Sequence, residues 1–263
     1  MKVSQGRASE ATTRHHIAEG QESGGTHTSR TMMLADLQTL LGTVPADARH
    51  EVYKTAVIED NVLGKGSESS RKRSFRYLRE LYLLDPAQIL FRALRDLWDK
   101  DPQGRPLLAM LSSLARDSSL RATTEGVLPL PRGAPVSSHD LEDVLQQHFD
   151  HSYSDSIAFK IGRNAASSWT QSGHLKGRTR KVRSKAEPTP GATAYALLLG
   201  YLTDQRGVGL FDTLWADTLD RGTSGLHNLA VAAGQRGWLE YRQAGNVIDV
   251  GFRWLLRETE TTS

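Results

Sequence analysis

The chain has 263 residues, of which 38% are hydrophobic and 24% charged, with a mean hydropathy of -0.45, the make-up of a globular protein rather than a disordered or membrane-embedded one. Net charge is only +3 while the pI is 9.1, so the placement of the basic residues matters more than their sum. The absence of cysteine excludes disulfides, thiolate zinc sites and a Cys nucleophile, and it agrees with a reducing compartment. No apolar leader opens the sequence, and its longest apolar stretch, Ala192 to Leu202, falls short of the ~20 residues of a membrane span. A cytoplasmic protein without a membrane partner is expected.

Residues 1–26 are rich in Ser, Thr, Gly, Glu and His and cannot offset their ordering entropy by burial, so a flexible tail is expected. From Thr31, Met32, Met33, Leu34, Leu37, Leu40 and Leu41 recur at helical spacing until Gly42 and Pro45. A second helix is predicted over Ala46 to Glu59 with Val52, Tyr53, Ala56 and Val57 inward. The third, from Ser67 to Leu84, gathers Phe75, Tyr77, Leu78, Leu81 and Tyr82 on one side and Lys72, Arg76 and Arg79 on the other. Ser67 is placed to cap it and Asp85-Pro86 ends it. Helices are also predicted from Pro86 to Asp99 and from Pro106 to about Gly126, before the Pro/Gly-rich run from Pro129 to Pro135.

Beyond that run, Ser138 opens a short helix with Leu141, Val144, Leu145 and Phe149. The turn His151 to Ser154 leads into a longer helix, Asp155 to Gln171, so the pattern is helix, turn, helix. His174 to Lys185 then reads as a basic hairpin or loop. From Gly191 the pattern is a helix through Tyr195, Leu198, Leu199 and Leu202, then Leu210 to Leu219, then Ser224 to Arg236. Two strands follow, Trp238 to Arg242 and Val247 to Phe252, around the turn-forming Gly245-Asn246. Three helices and a hairpin are the order of a winged helix, and that order occurs twice.

On the helix Asp155 to Gln171, Ile157, Ile161, Ala165 and Trp169 share one side, while Lys160, Arg163, Asn164, Ser167 and Thr170 share the other. Arg and Lys reach phosphates or guanine edges, Asn reads adenine, and Ser donates to either, which is the mixture a DNA-reading helix needs. Lys176, Arg178, Arg180, Lys181, Arg183 and Lys185 follow, so that eight cations and no acid lie between Ser156 and Ala186. Such imbalance points to a polyanionic partner, against the blander reading of a flexible basic loop. Six phosphate contacts would give a salt slope of about −5. Arg71, Lys72, Arg73, Arg76 and Arg79 offer either a second backbone contact or an ordinary solvated helix face.

The exposed side of Ser224 to Arg236 offers only Asn228, Gln235 and Arg236, which favours a structural or protein-binding role for the C-terminal unit. Enzyme readings are poorly supported. Gly64-Lys65-Gly66-Ser67 would need a glycine where Glu59 stands to be a Walker loop. His148, Asp150 and His151 lack further ligands to complete a metal sphere. Neither a nucleophile elbow nor a His-Glu-x-x-His helix occurs. No metal, cofactor or catalytic residue is expected.

Thr28-Ser29-Arg30-Thr31-Met32-Met33-Leu34, then Glu59-Asp60-Asn61-Val62-Leu63 leading into Ser67-Glu68-Ser69-Ser70-Arg71-Lys72-Arg73, resembles the BrxA family of bacteriophage-exclusion (BREX) defence systems. The similarity continues through Leu107 to Leu128 and Val136 to Leu175, and it is a pattern of helices and scattered residues. It implies a small, mostly helical DNA-binding accessory protein beside methyltransferase, phosphatase-like and ATPase components, with no catalytic residues. The unit from about Pro188 to Ser263 departs from that pattern.

The expectation is a mainly α protein: a tail over 1–26, a helical domain over 27–187 with a basic helix-turn-helix and wing, and a winged-helix-like domain over 188–263. The expected partner is double-stranded DNA in phage defence. The alternative is a scaffold that docks other defence components through its basic surface and C-terminal domain.

Overall fold

The computed structural model describes Ile17, residues 24–245 and residues 247–257, so most of the expected tail, and Asn246 of the hairpin turn, lie outside the described residues. α1 (Leu34–Thr43) and α2 (His50–Ile58) come first. α3 (Glu68–Tyr82) opens on Ser67, whose hydroxyl accepts from the Ser70 amide, the cap that satisfies an otherwise orphaned donor. α4 (Ile89–Lys100) and α5 (Arg105–Arg116) follow. The periodicity predicts one helix from Pro106 to about Gly126, but the chain breaks at Asp117. That residue is extended and accepts from the Leu120 amide, which starts the separate helix α6 (Ser118–Ala122).

β1 (Pro135–Val136) precedes α7 (Ser138–His148), which begins with a reciprocal capping box between Ser137 and Asp140, one residue earlier than the expected Ser138 cap. α8 (Asp155–Gln171) has the limits that its periodicity predicts. β2 (Leu175–Lys176) and β3 (Lys181–Arg183) come after it, and β3 lies between β1 and β2 in an antiparallel sheet, with Pro135 opposite Val182 and Leu175 opposite Arg183. The chain continues through α9 (Pro190–Leu202), α10 (Leu214–Asp217) and α11 (Thr223–Gln235) into the hairpin β4 (Glu240–Ala244) and β5 (Val247–Gly251), and then α12 (Arg253–Leu256). Among the described residues the fold is mainly helical, with two small antiparallel sheets. No helix among them is long and apolar enough to cross a membrane.

The apolar core runs without a break across position 188, where the sequence places a domain boundary. The reason is α9: eleven of its thirteen residues are buried, and it packs against α4, α5 and α11. A helix that is apolar all round needs protein on every side. Its start is held by the buried Asp101 carboxylate, which accepts from the Thr189 hydroxyl at 2.5 Å and the Gly191 amide at 2.8 Å, and the Tyr195 hydroxyl donates to the Leu90 carbonyl at 3.1 Å. A smaller cluster of Ala122, Leu145, Phe149 and Ile161 joins α6, α7 and α8. Two residues expected inward point out: Val52 is 44% and Ile157 43% exposed. Ile157 sits in the first turn of α8, one turn ahead of Ile161, the first member of that row to reach the cluster.

Candidate nucleic-acid interface

α8 buries Ala158, Ile161, Gly162, Ala165, Ala166, Ser168 and Trp169. Gly162 is required by the crossing with α7, because a Cβ there would lie 2.5 Å from the Ser138 carbonyl oxygen. The Trp169 indole donates to the Thr123 hydroxyl at 2.8 Å and fixes the rotation of α8 about its axis. This rotation turns Ser156, Lys160 and Arg163 to solvent. Phe159 is 37% exposed beside them, its ring against His139 at 4.8 Å.

Of the four side chains expected to read bases, Lys160 and Arg163 are exposed and have no partner among the described residues. Asn164 does not stand free: its side-chain amide donates to the His27 carbonyl at 2.8 Å. Ser167 is half-buried and accepts from Gln171 at 3.4 Å. The cause is the segment that leads into α1, which crosses the C-terminal half of α8. Along that crossing the Met32 amide donates to Ser168 at 2.8 Å and the Leu34 amide to Gln171 at 3.1 Å. Of these four side chains, the two that stay exposed, Lys160 and Arg163, both lie within the first nine residues of α8.

The same crossing brings together three residues that the sequence does not pair. His27 Nδ1 lies 2.8 Å from Asp117 Oδ2, and its Nε2 lies 2.8 Å from Ser168 Oγ. That connectivity is the one found in serine hydrolases. Here His27 and Ser168 are fully buried, Asp117 is 1% exposed, and the Ser168 oxygen also accepts from the Met32 amide. Burial alone would raise the Asp117 carboxyl, but the His27 ring and the amides of His27 and Leu120 outweigh it and hold it below the ordinary value. The group acts as a polar lock between the chain at Thr26 to Thr28, α6 and α8.

The β2-β3 hairpin presents Lys176, Arg178 and Arg180 to solvent, again without partners among the described residues. Gly177 makes its turn possible, at φ 105°, with a Cβ position only 2.1 Å from the Arg180 carbonyl oxygen. Lys181 is half-buried and donates to Thr170 at 2.9 Å, and burial lowers its pKa. Arg183, expected on phosphate, is instead internal. Its guanidinium is 3% exposed and makes a two-point ion pair with Asp220, at 2.8 and 2.9 Å. The stretch from 156 to 186 has no acid in sequence, yet the fold supplies one from 37 residues away. Lys185 remains exposed beyond the hairpin.

The basic face of α3 is largely balanced by its own acids. Lys72 pairs with Glu68 at 2.5 Å, and Arg76 lies 3.6 Å from Glu80 and over the Tyr77 ring. Arg71 is half-buried and donates to the Glu59 carbonyl at 3.3 Å, Arg73 donates to Ser70 at 3.3 Å, and Arg79 is exposed. Pairs of this exposed kind are weak enough to exchange for phosphate. Lys65 is spent on Asp36, at 2.8 and 2.9 Å. His148 lies 3.3 Å from Glu125, and no group of three His, Asp or Glu residues suited to a metal occurs among the described residues.

Across position 188, His174 forms a buried bridge: one ring nitrogen meets Ser172 Oγ at 2.8 Å and the other the Thr218 carbonyl at 2.8 Å. Burial pushes its pKa down to about 4. With the Arg183 pair and Asp101, it ties the two expected domains together by buried polar contacts. No protein-family model matches the chain, and no curated protein matches it.

Proposed function

We propose that the chain is a non-enzymatic, double-stranded DNA-binding accessory protein of a BREX-like anti-phage defence system in the cytoplasm. The observation that carries the DNA reading is the set of Lys160, Arg163, Lys176, Arg178 and Arg180, exposed and unpaired among the described residues on α8 and the adjoining hairpin. The order α7, α8, β2, β3, with β1 added to the sheet beside β3, supports a winged-helix arrangement in which the N-terminal half of α8 enters the major groove and the hairpin holds backbone. The order α9, α10, α11, β4, β5 supports a second unit of the same kind. The defence-system assignment rests on the resemblance of residues 27–175 alone.

Three phosphate contacts from the hairpin cations Lys176, Arg178 and Arg180 would give a salt slope of about −2.7. A gel-shift series over increasing salt should follow that slope, and reversing Lys176, Arg178 and Arg180 together should abolish the shift. Unchanged affinity of that variant would refute the reading. The scaffold reading would rest on different residues, among them the exposed Val231 on α11 and Val247 on β5 in the C-terminal unit. Salt-sensitive co-purification of a methyltransferase, an ATPase or a phosphatase-like protein by a chain that ignores DNA would favour it.

A further inference from the structure

A cleft of 540 Å³ lies where the end of β3 meets the start of α11, and it is lined by Arg132, Lys185 and Arg221 together with Glu187, Asp220 and Gly222. Its three cations come from three separate segments: the loop before β1, the strand exit after β3 and the lead into α11. All three are exposed and have no partner among the described residues. The backbone that carries them is nonetheless held, because a residue next to each belongs or is bound to the buried Arg183-Asp220 frame. Gly133, next to Arg132, donates its amide to the Arg183 carbonyl at 2.8 Å, and Ala186, next to Lys185, donates to the Asp220 carboxylate at 3.0 Å. Arg221 directly follows Asp220, and its side chain lies across Gly225 on the first turn of α11, where a Cβ would come within 2.8 Å of it.

The charge balance follows from the same contacts. The Asp220 carboxylate is consumed by Arg183 and the Ala186 amide, so Glu187 is the acid left to offset three cations. Three cations carried on one braced backbone frame around a polar cleft suit a phosphate group. We propose that this cleft is a second phosphate-binding site, taking a backbone phosphate of the same nucleic acid that the α8 and hairpin surface engages. It rests on the DNA reading above and extends it, since it gives the C-terminal unit a nucleic-acid contact through Arg221 in place of a purely structural role.

The test is equilibrium binding of the full chain to a duplex about three helical turns long over a salt series. It compares the unaltered protein with Arg132→Glu/Arg221→Glu, with the milder Arg132→Gln/Arg221→Gln, and with the hairpin reversal at Lys176, Arg178 and Arg180. Thermal unfolding of each variant confirms the fold. Loss of two phosphate contacts in the glutamine pair should reduce the magnitude of the salt slope by about 1.8 and weaken binding on the order of tenfold, and the glutamate pair should weaken it further by repulsion. Unchanged slope and affinity in both cleft variants, with binding lost in the hairpin variant, overturn the cleft and leave the DNA reading standing. If the unaltered chain binds no duplex, both fall. Titration of inorganic phosphate separates the remaining source: saturable binding that needs Arg132 and Arg221, in a chain whose DNA binding ignores them, assigns the cleft to a free phosphate ligand and overturns the backbone proposal.

Discussion

Replacing Asp220 by alanine should destabilise the chain far more than the loss of one hydrogen-bond acceptor would. The Arg183 guanidinium is 3% exposed, and Asp220, itself 10% exposed, meets it through both oxygens. Its other acceptors are backbone carbonyls, those of His174 at 3.3 Å and Leu128 at 3.4 Å among them, which carry no full charge. Asp220→Ala therefore leaves a cation in the interior without its counter-charge. Removing one partner of a buried pair costs about 3–5 kcal/mol, or roughly 6–20 °C in Tm for a chain of this size. The double change Arg183→Met/Asp220→Leu removes both charges and their desolvation and should recover most of the loss. Urea unfolding of the two single variants and the double variant closes the cycle. Two results would refute the reasoning: an Asp220→Ala protein within about 0.5 kcal/mol of the parent, or an Arg183→Met protein of parental stability that binds DNA as poorly as Arg180→Glu does.

The His174 imidazole is held down to about 4 from an ordinary 6.5, so the folded state takes up its proton later than the unfolded state. Its contribution is complete above pH about 6.5 and disappears as pH falls towards 4, about 3 kcal/mol in all; urea midpoints at neutral and acid pH measure it, and a His174→Gln protein with the same acid sensitivity would contradict it. Asn164→Ala should cost about 1 kcal/mol through the lost bond to the His27 carbonyl. Its DNA affinity should stay at the parental value, whereas Lys160→Ala should do the opposite, and calorimetry beside anisotropy distinguishes them. Gly162→Ala forces a methyl to 2.5 Å from the Ser138 oxygen and should lower stability by about 1–3 kcal/mol, read as a drop in Tm.

Local features of the fold are legible in the sequence because their causes are local. The limits of α8 follow from its periodicity, the start of α3 from Ser67, and the β4-β5 hairpin from alternating Ile248, Val250 and Phe252 beside Gly245. Features fixed by distant partners are not legible in this way. Asn164 has a suitable type and helical phase for base reading, and nothing nearby reveals that a segment 137 residues away lies over it. Arg183 belongs to an unbroken basic run, and only the fold brings in Asp220. The break at Asp117 has the same origin: its side chain serves His27 and the α6 amide at once, so helix continuity yields to three buried hydrogen bonds. The uncompensated charge was readable in outline, as Lys160, Arg163, Lys176, Arg178 and Arg180 do stand in solvent. Arg132 and Arg221 carry no signal in the sequence, since each is an isolated cation there and gains meaning only beside Lys185.

The burial of α9 leaves the chain without a seam along which it can be cut. A fragment ending at residue 187 would strip the cover from the faces of α4 and α5 and leave the Leu90 carbonyl and Asp101 without the groups that bond them. The complementary piece would carry an unshielded apolar rod into water, a surface that drives self-association. Deletion of either half thus reports on folding before it reports on recognition, and only surface substitutions such as those at Arg178 or Arg221 separate the two.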